Sequence, residues 1–238
     1  MQTALGILYP TQCASCRSFV EARDSLCGTC WSETPFLTGL VCDCCGVPLM
    51  GEEAGARALC DTCLETPRIW ARGRAALEYR DNARRIVLGL KHGDRIDLAR
   101  PASKWMAAAA QDLLTPDTCL VPVPLHWLRR VRRRYNQSVL LARGIAQITG
   151  MDHIHDALQR TRKTIPQDGM TPAQRHANLA DAMRPNPRRE SELRGRDVIL
   201  VDDVMTSGAT FTAAAAACRA AGVNTISVLA LARVVKDF

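Results

Sequence analysis

The sequence lacks any apolar run that approaches the roughly 18–20 residues needed for a membrane-spanning helix. The first ten residues also lack the basic region and the clear cleavage site of a secretory signal peptide. These absences predict a cytoplasmic protein without membrane insertion.

Two common catalytic patterns are also missing. The Walker pattern Gly-x-x-x-x-Gly-Lys-Ser/Thr is absent, which argues against a nucleoside triphosphatase. The chain contains five histidines, but none has a placed nucleophile from which a catalytic triad could be argued.

Positive charge is concentrated in the larger, C-terminal part of the chain. Residues 1–67 contain 3 Lys/Arg and 8 Asp/Glu, whereas residues 68–238 contain 28 and 16, which gives the net charge of +7. This distribution suggests a polyanionic ligand, either a phosphorylated small molecule or nucleic acid. A generally basic, soluble surface would give the same balance.

Nine of the eleven cysteines precede residue 64, and eight of them form four Cys-x-x-Cys pairs. Each pair aims two thiolates at one metal, and two pairs complete a tetrahedral zinc site. We therefore expect two structural zinc ions in a module spanning residues 1–67, with sequential assignment preferred and a cross-braced arrangement left open. The sequential sets are Cys13, Cys16, Cys27 and Cys30, and Cys42, Cys45, Cys60 and Cys63.

Residues 68–238 show strand and helix patterns in alternation, which predicts an α/β domain with a mostly parallel sheet and helices on both faces. The expected strands are 70–79, 119–123, 197–201 and 225–231. The expected helices begin at Asp81 and cover about 101–114, 136–149, 171–182 and 210–221.

The strongest chemical signal is the segment from Val198 to Thr210. A buried strand ends in Asp202 and Asp203, and a loop with hydroxyls and a glycine leads into a helix. Loop amides and the helix N-terminus bind anions, while the carboxylates are good acceptors for ribose hydroxyls. The segment therefore predicts a site for a 5-phosphorylated ribose. The loop residues are Val204, Met205, Thr206, Ser207, Gly208, Ala209 and Thr210.

This segment resembles the signature of type I phosphoribosyltransferases, with Thr206-Ser207-Gly208 in place of the usual Thr-Thr-Gly. The whole chain resembles the ComF family (ComFC and GntX-like proteins), which joins a Cys-rich module to such a domain. The supporting motifs are the Cys pairs, Leu90 to Asp94, Val121 to Leu125, Arg134 to Gln137, and Gln167 with Arg175 and Asn178. The resemblance implies a Rossmann-like fold, phosphoribosyl pyrophosphate (PRPP) as ligand, Mg²⁺ bound with it, and a role in DNA uptake.

The resemblance also implies further contacts. The loop after a second strand, here Val123 and Pro124, would contact pyrophosphate, and Lys91 and Arg134 are candidates to neutralise its charge. Arg134 belongs to a cluster of five arginines at positions 129, 130 and 132–134. That cluster is interpreted as a pyrophosphate contact, as a nucleic-acid contact with Trp127 and Tyr135 as stacking surfaces, or as a solvated basic loop.

Two functions remain open from the sequence. The first is a phosphoribosyltransferase in which Asp202, Asp203 and Lys91 take part in catalysis, with an acceptor that no motif identifies. The second is a non-catalytic PRPP sensor that binds single-stranded DNA or a DNA-uptake protein.

Overall fold

A five-stranded parallel sheet forms the centre of the protein, with strand order β1-β7-β6-β2-β3. The computed structural model describes residues 10–51, 55, 57–92, 94–125, 135–161 and 182–235. The sheet strands are β1 (Arg72–Glu78), β2 (Thr118–Pro122), β3 (Asp152–His153), β6 (Asp197–Met205) and β7 (Ile226–Arg233). A separate antiparallel pair, β4 (Leu158–Arg160) and β5 (Met183–Pro185), packs against the helix that precedes β7.

Helices cover both faces of this sheet. One face carries α3 (Asp81–His92), α4 (Ala99–Ala109) and α5 (Gln137–Thr149), and the other carries α6 (Glu190–Leu193) and α7 (Ala209–Ala220). Short 3-10 turns occupy Ile96–Leu98 and Gln111–Leu113. The predicted α/β fold with helices on both faces is therefore confirmed. No helix in the described ranges combines the length and hydropathy of a bilayer-crossing segment.

The side chains of β6 alternate between the two faces of the sheet, so this strand contributes to the hydrophobic core on both sides. Val198 and Leu200 face the core under α7, whereas Ile199 and Val201 face the core under α3 to α5. Since successive side chains of a strand point to opposite faces, a continuous apolar run is what a central strand requires. All four side chains are almost completely buried.

Strand β6 extends further than its apolar run predicts. It continues to Met205 because β7 pairs with it as far as Arg233. Val204 and Met205, which the sequence assigned to the phosphate loop, therefore lie in the strand, and the Met205 side chain is buried. The loop itself is reduced to Thr206, Ser207 and Gly208.

Other boundaries shift less. The predicted second helix ends at Ala109 and is followed by a 3-10 turn, and β3, β4 and β5 were not predicted. Helix α5 begins as predicted, with the Asn136 side chain accepting from the Ser138 amide at 3.0 Å and Gly150 ending it in the left-handed region. The predicted helix at 171–182 lies outside the described residues, except for Ala182.

The Cys-rich module contains two short helices, α1 (Gly28–Ser32) and α2 (Asp61–Glu65), although its sequence shows little helical periodicity. It packs against β1, which would otherwise be an open edge strand. Phe36 forms an antiparallel bridge with Leu77, and the Gly73 amide donates to the Asp43 carbonyl at 2.8 Å. Arg74 forms an ion pair with the Asp43 carboxylate at 2.7 Å.

Close approach between the module and β1 depends on Gly73. A Cβ atom at this position would clash with the Cys44 carbonyl oxygen and lie 2.9 Å from a Val228 methyl group. We expect Gly73→Ala to lower the free energy of unfolding by about 1–3 kcal/mol, because backbone must move to relieve the overlap. Denaturant unfolding measures the effect.

Gly28→Ala is the matched control, since a Cβ there meets nothing within 4 Å. An unchanged midpoint for Gly73→Ala would show that the module does not pack on β1 as described.

Candidate functional site

The phosphate loop, Thr206 to Gly208, connects the carboxyl end of β6 to the first residue of α7. Gly208 has φ +83°, and a Cβ there would lie 3.0 Å from the Trp70 ring and 3.2 Å from the Met205 methyl group. Both the backbone conformation and the close packing therefore require glycine. The loop lies at the carboxyl edge of a parallel sheet, where α/β proteins bind ligands.

Two arginines hold the loop by its carbonyl groups. Arg233 donates to the carbonyls of Met205 at 3.1 Å and Thr206 at 2.7 Å, and Arg68 donates to that of Ser207 at 3.0 Å. In a trans peptide the carbonyl and the following N–H point in opposite directions. The amides of Thr206, Ser207 and Gly208 are therefore directed away from the arginines.

These three amides have no hydrogen-bond acceptor among the described residues. They lie directly before the N-terminus of α7, whose partial positive charge favours anions. A run of unpaired donors at a helix N-terminus can bind the oxygens of one phosphate group.

Asp202 and Asp203 precede the loop on β6. The Lys91 ammonium lies 3.1 Å from Asp203 Oδ1, and Asp202 Oδ1 accepts from the Ser138 hydroxyl and the Asp203 amide, both at 2.9 Å. Within the described part of the chain, the Oδ2 atoms of both carboxylates receive no hydrogen bond. The pair can therefore accept hydrogen bonds from neighbouring hydroxyl groups, as a ribose diol requires.

The two carboxylates differ in their electrostatic environment. Burial, reinforced by the negative charge of Asp203, raises the pKa of the Asp202 carboxyl to about 7. The Asp203 amide, the Lys91 ammonium and the Ser138 hydroxyl oppose this rise in pKa. A diol donates hydrogen bonds, and donors that approach the Asp202 carboxyl favour its charged form. The charged form in turn is the better acceptor for the diol.

One four-residue segment, Tyr135 to Ser138, joins the parts of this site. Asn136 donates to the Val123 carbonyl at 3.1 Å, which fixes the end of β2, while Ser138 bonds to Asp202. The Tyr135 hydroxyl donates to the Leu90 carbonyl at 2.9 Å, and the Gln137 amide group donates to the same oxygen at 3.3 Å. The segment thus positions the end of α3, from which Lys91 projects.

The predicted site residues fall into three groups. Lys91, Asp202 and Asp203 lie together beside the phosphate loop. Val123 is buried, and both its amide and its carbonyl are hydrogen-bonded, with Pro124 following it. Several predicted positions lie outside the described residues: Gly93, Trp127, Arg129, Arg130, Arg132, Arg133, Arg134, Gln167, Arg175 and Asn178.

Three residues that contact the site were missed from the sequence: Ser138, Arg68 and Arg233. Ser138 offered a weak signal, because it follows the predicted N-cap of α5. Arg233 offered a second weak signal, because it is a charged residue that follows an apolar run. In the structure this residue is only 9% exposed. Arg68 is far from the loop in sequence and gave no signal.

The cysteines form two groups, each with four Sγ atoms within 4.8 Å of one another. The grouping is sequential, with Cys13, Cys16, Cys27 and Cys30 in the first cysteine group and Cys42, Cys45, Cys60 and Cys63 in the second. Tetrahedral zinc with Zn–S bonds of ~2.3 Å separates its sulfurs by about 3.8 Å. The Cys16–Cys27 and Cys45–Cys60 sulfur pairs are both 3.6 Å apart, so the donor sets fit zinc.

The two groups repeat one local structure. Cys13 and Cys42 each donate an amide to a carbonyl five residues on, at 2.7 Å, and each has its Sγ bonded by the amide of the third cysteine. The residue after the second cysteine has φ +67° in both, as Arg17 in one and Gly46 in the other. A Cβ atom at Gly46 would lie 3.1 Å from the Ala75 nitrogen of β1, which is a tight contact with backbone.

The remaining cysteines are not part of these groups. Cys44 is buried and its carbonyl accepts from the Trp70 indole at 2.7 Å. Cys119 and Cys218 are fully buried, and burial raises the pKa of the Cys218 thiol to about 12.

Family comparison matches both parts of the chain. The double zinc ribbon domain model matches residues 4–70, and the phosphoribosyl transferase domain model matches residues 99–236. The second match covers more than half of the chain, and together the two matches confirm the predicted combination of a zinc-binding module with a phosphoribosyltransferase fold.

Two relatives are similar to this chain over most of their own length. The DNA utilization protein YhgH of Salmonella typhi is 30% identical over 228 residues, which cover 93% of this chain and 89% of that protein. Competence protein F of Haemophilus influenzae is 27% identical, over 93% of this chain and 96% of that protein. A solved glutamine PRPP amidotransferase from B. subtilis aligns with a TM-score of 0.40 and 17% identity, over 61% of this chain and 30% of that enzyme.

The raised pKa of Asp202 predicts a pH-dependent stability. The pKa of this carboxyl is ~4 in the unfolded chain and about 7 in the folded protein. Between these pH values the folded protein therefore binds one proton more than the unfolded chain. The free energy of unfolding therefore decreases as pH rises from 4 to 7. Asp202→Asn removes this loss and should be more stable than wild type by up to about 4 kcal/mol at pH 8, with no gain below pH 4.

Denaturant unfolding at several pH values measures this difference. Asp152→Asn, a change at the opposite end of the sheet, should keep the wild-type pH profile. A constant difference between Asp202→Asn and wild type from pH 4 to 8 would contradict the prediction.

The cysteine geometry predicts two zinc ions per chain by elemental analysis. Cys63→Ser should retain one, because a closed site with three thiolates holds zinc much more weakly. Cys44→Ser is the control and should retain two, since Cys44 belongs to neither group. Loss of a zinc ion from Cys44→Ser would show that the ligand set is different.

Proposed function

The chain belongs to the phosphoribosyl transferase family, and on that premise we propose that it binds PRPP with Mg²⁺ and transfers the ribosyl 5-phosphate group to an acceptor. Three amides in the loop from Thr206 to Gly208 and the Oδ2 atoms of two neighbouring carboxylates, none of which has a partner in the part of the chain that the structure describes, carry this proposal. The amides would hold the 5-phosphate, and Asp202 and Asp203 would hold the ribose 2- and 3-hydroxyls.

Lys91 supports a role at the pyrophosphate end of the ligand. Its ammonium has three donors, of which one is directed to Asp203 Oδ1. The side chain is 21% exposed, so the other donors can bind an anion beside the carboxylates. Arg134 and the Val123-Pro124 turn are proposed as further contacts to pyrophosphate.

The reaction would proceed by positioning and charge neutralisation. The acceptor nucleophile forms a bond to C1 of the ribose, the bond from C1 to the pyrophosphate oxygen breaks, and pyrophosphate leaves with the electron pair. The acceptor loses its proton. Asp202 and Asp203 fix the ribose while Lys91 stabilises the negative charge that develops on pyrophosphate. Bound Mg²⁺ supplies further neutralisation of the pyrophosphate oxygens.

A second candidate is a non-catalytic PRPP sensor in DNA uptake, situated in the cytoplasm. The names of the relatives, DNA utilization protein and competence protein F, favour a role in DNA handling. The excess of basic residues in 68–238 is compatible with single-stranded DNA or a partner protein as ligand. Pyrophosphate release that depends on one added acceptor would distinguish transfer from sensing.

Calorimetry with PRPP and Mg²⁺ tests the binding step shared by both candidates. The double variant Asp202→Asn/Asp203→Asn should bind PRPP at least about 100-fold more weakly, since two hydrogen bonds to charged acceptors are lost. It should keep its fold, because Asn retains the size of Asp and the Oδ1 acceptor.

Asp152→Asn is the matched control and should bind PRPP like wild type. Absence of PRPP binding to the wild-type protein with Mg²⁺ present would refute the proposed function.

A further inference from the structure

Two sets of contacts connect the phosphate loop to the second cysteine group. The first runs through Arg233, which ends β7 beside Met205 in the sheet register. Its Nε donates to the Cys45 carbonyl at 3.1 Å, while its Nη1 donates to the carbonyls of Met205 and Thr206. Because the guanidinium group is planar and rigid, one side chain fixes the distance between a metal ligand and the loop.

The second set of contacts runs through Trp70 and Arg68. The buried Trp70 indole donates to the Cys44 carbonyl at 2.7 Å, and its ring lies against Gly208. The Arg68 guanidinium stacks 5.5 Å from the centre of that ring and donates to the Ser207 carbonyl at 3.0 Å. The carbonyls of Met205 and Thr206 are therefore held by Arg233, which bonds directly to Cys45, and that of Ser207 is held by Arg68, which reaches Cys44 through Trp70.

The first cysteine group is anchored elsewhere. Arg95 donates to the Ala14 carbonyl at 2.8 Å, and Asn82 donates to the Cys30 carbonyl at 3.2 Å. Both anchors belong to α3 or to the turn that follows it. In the described ranges, no contact joins this group to the phosphate loop.

We propose that Arg233 and Arg68 are positioning residues that couple zinc binding in the second cysteine group to 5-phosphate binding in the loop. Zinc fixes the backbone of Cys44 and Cys45, whose carbonyls orient Arg233 and Trp70. The arginines then hold the loop with its amides directed toward the ligand. Each ligand stabilises the arrangement that the other requires, so each tightens the binding of the other by the same factor. The proposal rests on PRPP as the ligand of the loop.

Zinc release in the wild-type protein gives the first test. A chromophoric chelator should remove two zinc ions per chain, and PRPP with Mg²⁺ should slow the release of one of them roughly 10-fold, within the usual range of coupling. The other zinc, from the first group, should leave at an unchanged rate. The coupling would be overturned if bound PRPP slowed the release of both zinc ions equally, or if it slowed the release of neither.

Variants of the two arginines give the second test. Arg68→Met keeps an apolar side chain over Trp70 but removes the donor to Ser207, and should weaken PRPP binding roughly 10-fold in calorimetry and reduce the protection of zinc. Arg233→Met should have a larger effect on both measurements. Because Arg233 is buried, circular dichroism must show that this variant is folded, and Arg68→Met decides the question if it is not.

Arg196→Met is the matched control, since this arginine is likewise held by a polar partner, Asp152 at 2.9 Å, but lies before β6 and away from the phosphate loop. It should keep wild-type PRPP affinity and zinc protection. Wild-type values for Arg68→Met as well would overturn the inference while leaving the proposed function intact. A wild-type protein that does not bind PRPP would instead overturn both.

Discussion

Hydrogen bonds from Arg233 and Arg68 to the loop carbonyls determine which way the loop amides point. Three consecutive carbonyls, from Met205 to Ser207, accept from these two side chains. Since a planar trans peptide places its N–H opposite its carbonyl, the amides of Thr206, Ser207 and Gly208 must turn toward the ligand. The left-handed Gly208 and the start of α7 complete this arrangement.

The carboxylate pair adds a second constraint, since two acidic groups must lie side by side. Lys91 balances Asp203, while Ser138 and the backbone amide of Asp203 stabilise Asp202. Burial still raises the pKa of Asp202, so the folded protein maintains a charged group at some cost in stability. Such a cost is reasonable at a binding site, because an incoming diol donates the hydrogen bonds that the carboxylates lack.

The Cys-rich module contributes to both the sheet and the site. The module covers the edge strand β1 through Phe36, Asp43 and the close approach at Gly73, and Asp43 lies within the second cysteine group's segment. The second cysteine group also reaches the loop through Arg233 and Trp70. A module of this size cannot bury a large core by itself, so its metal sites and its packing on the sheet support each other.

The sequence by itself determined the α/β alternation, the four Cys-x-x-Cys pairs and the ribose-phosphate segment, because each depends on residues close together in the chain. How the Cys pairs combine was decided by the tertiary structure, which groups them sequentially. Apolar runs such as Val198 to Val201, Cys-x-x-Cys turns and the Asp202-Asp203 pair are local patterns with local physical causes. Only the tertiary structure decided where β6 ends, since that depends on its pairing with β7 up to Arg233. It alone also brought Arg68, Ser138 and Arg233 to the site: hydrogen bonds between residues 139 or 188 positions apart depend on how the sheet and the module pack, which no local pattern encodes.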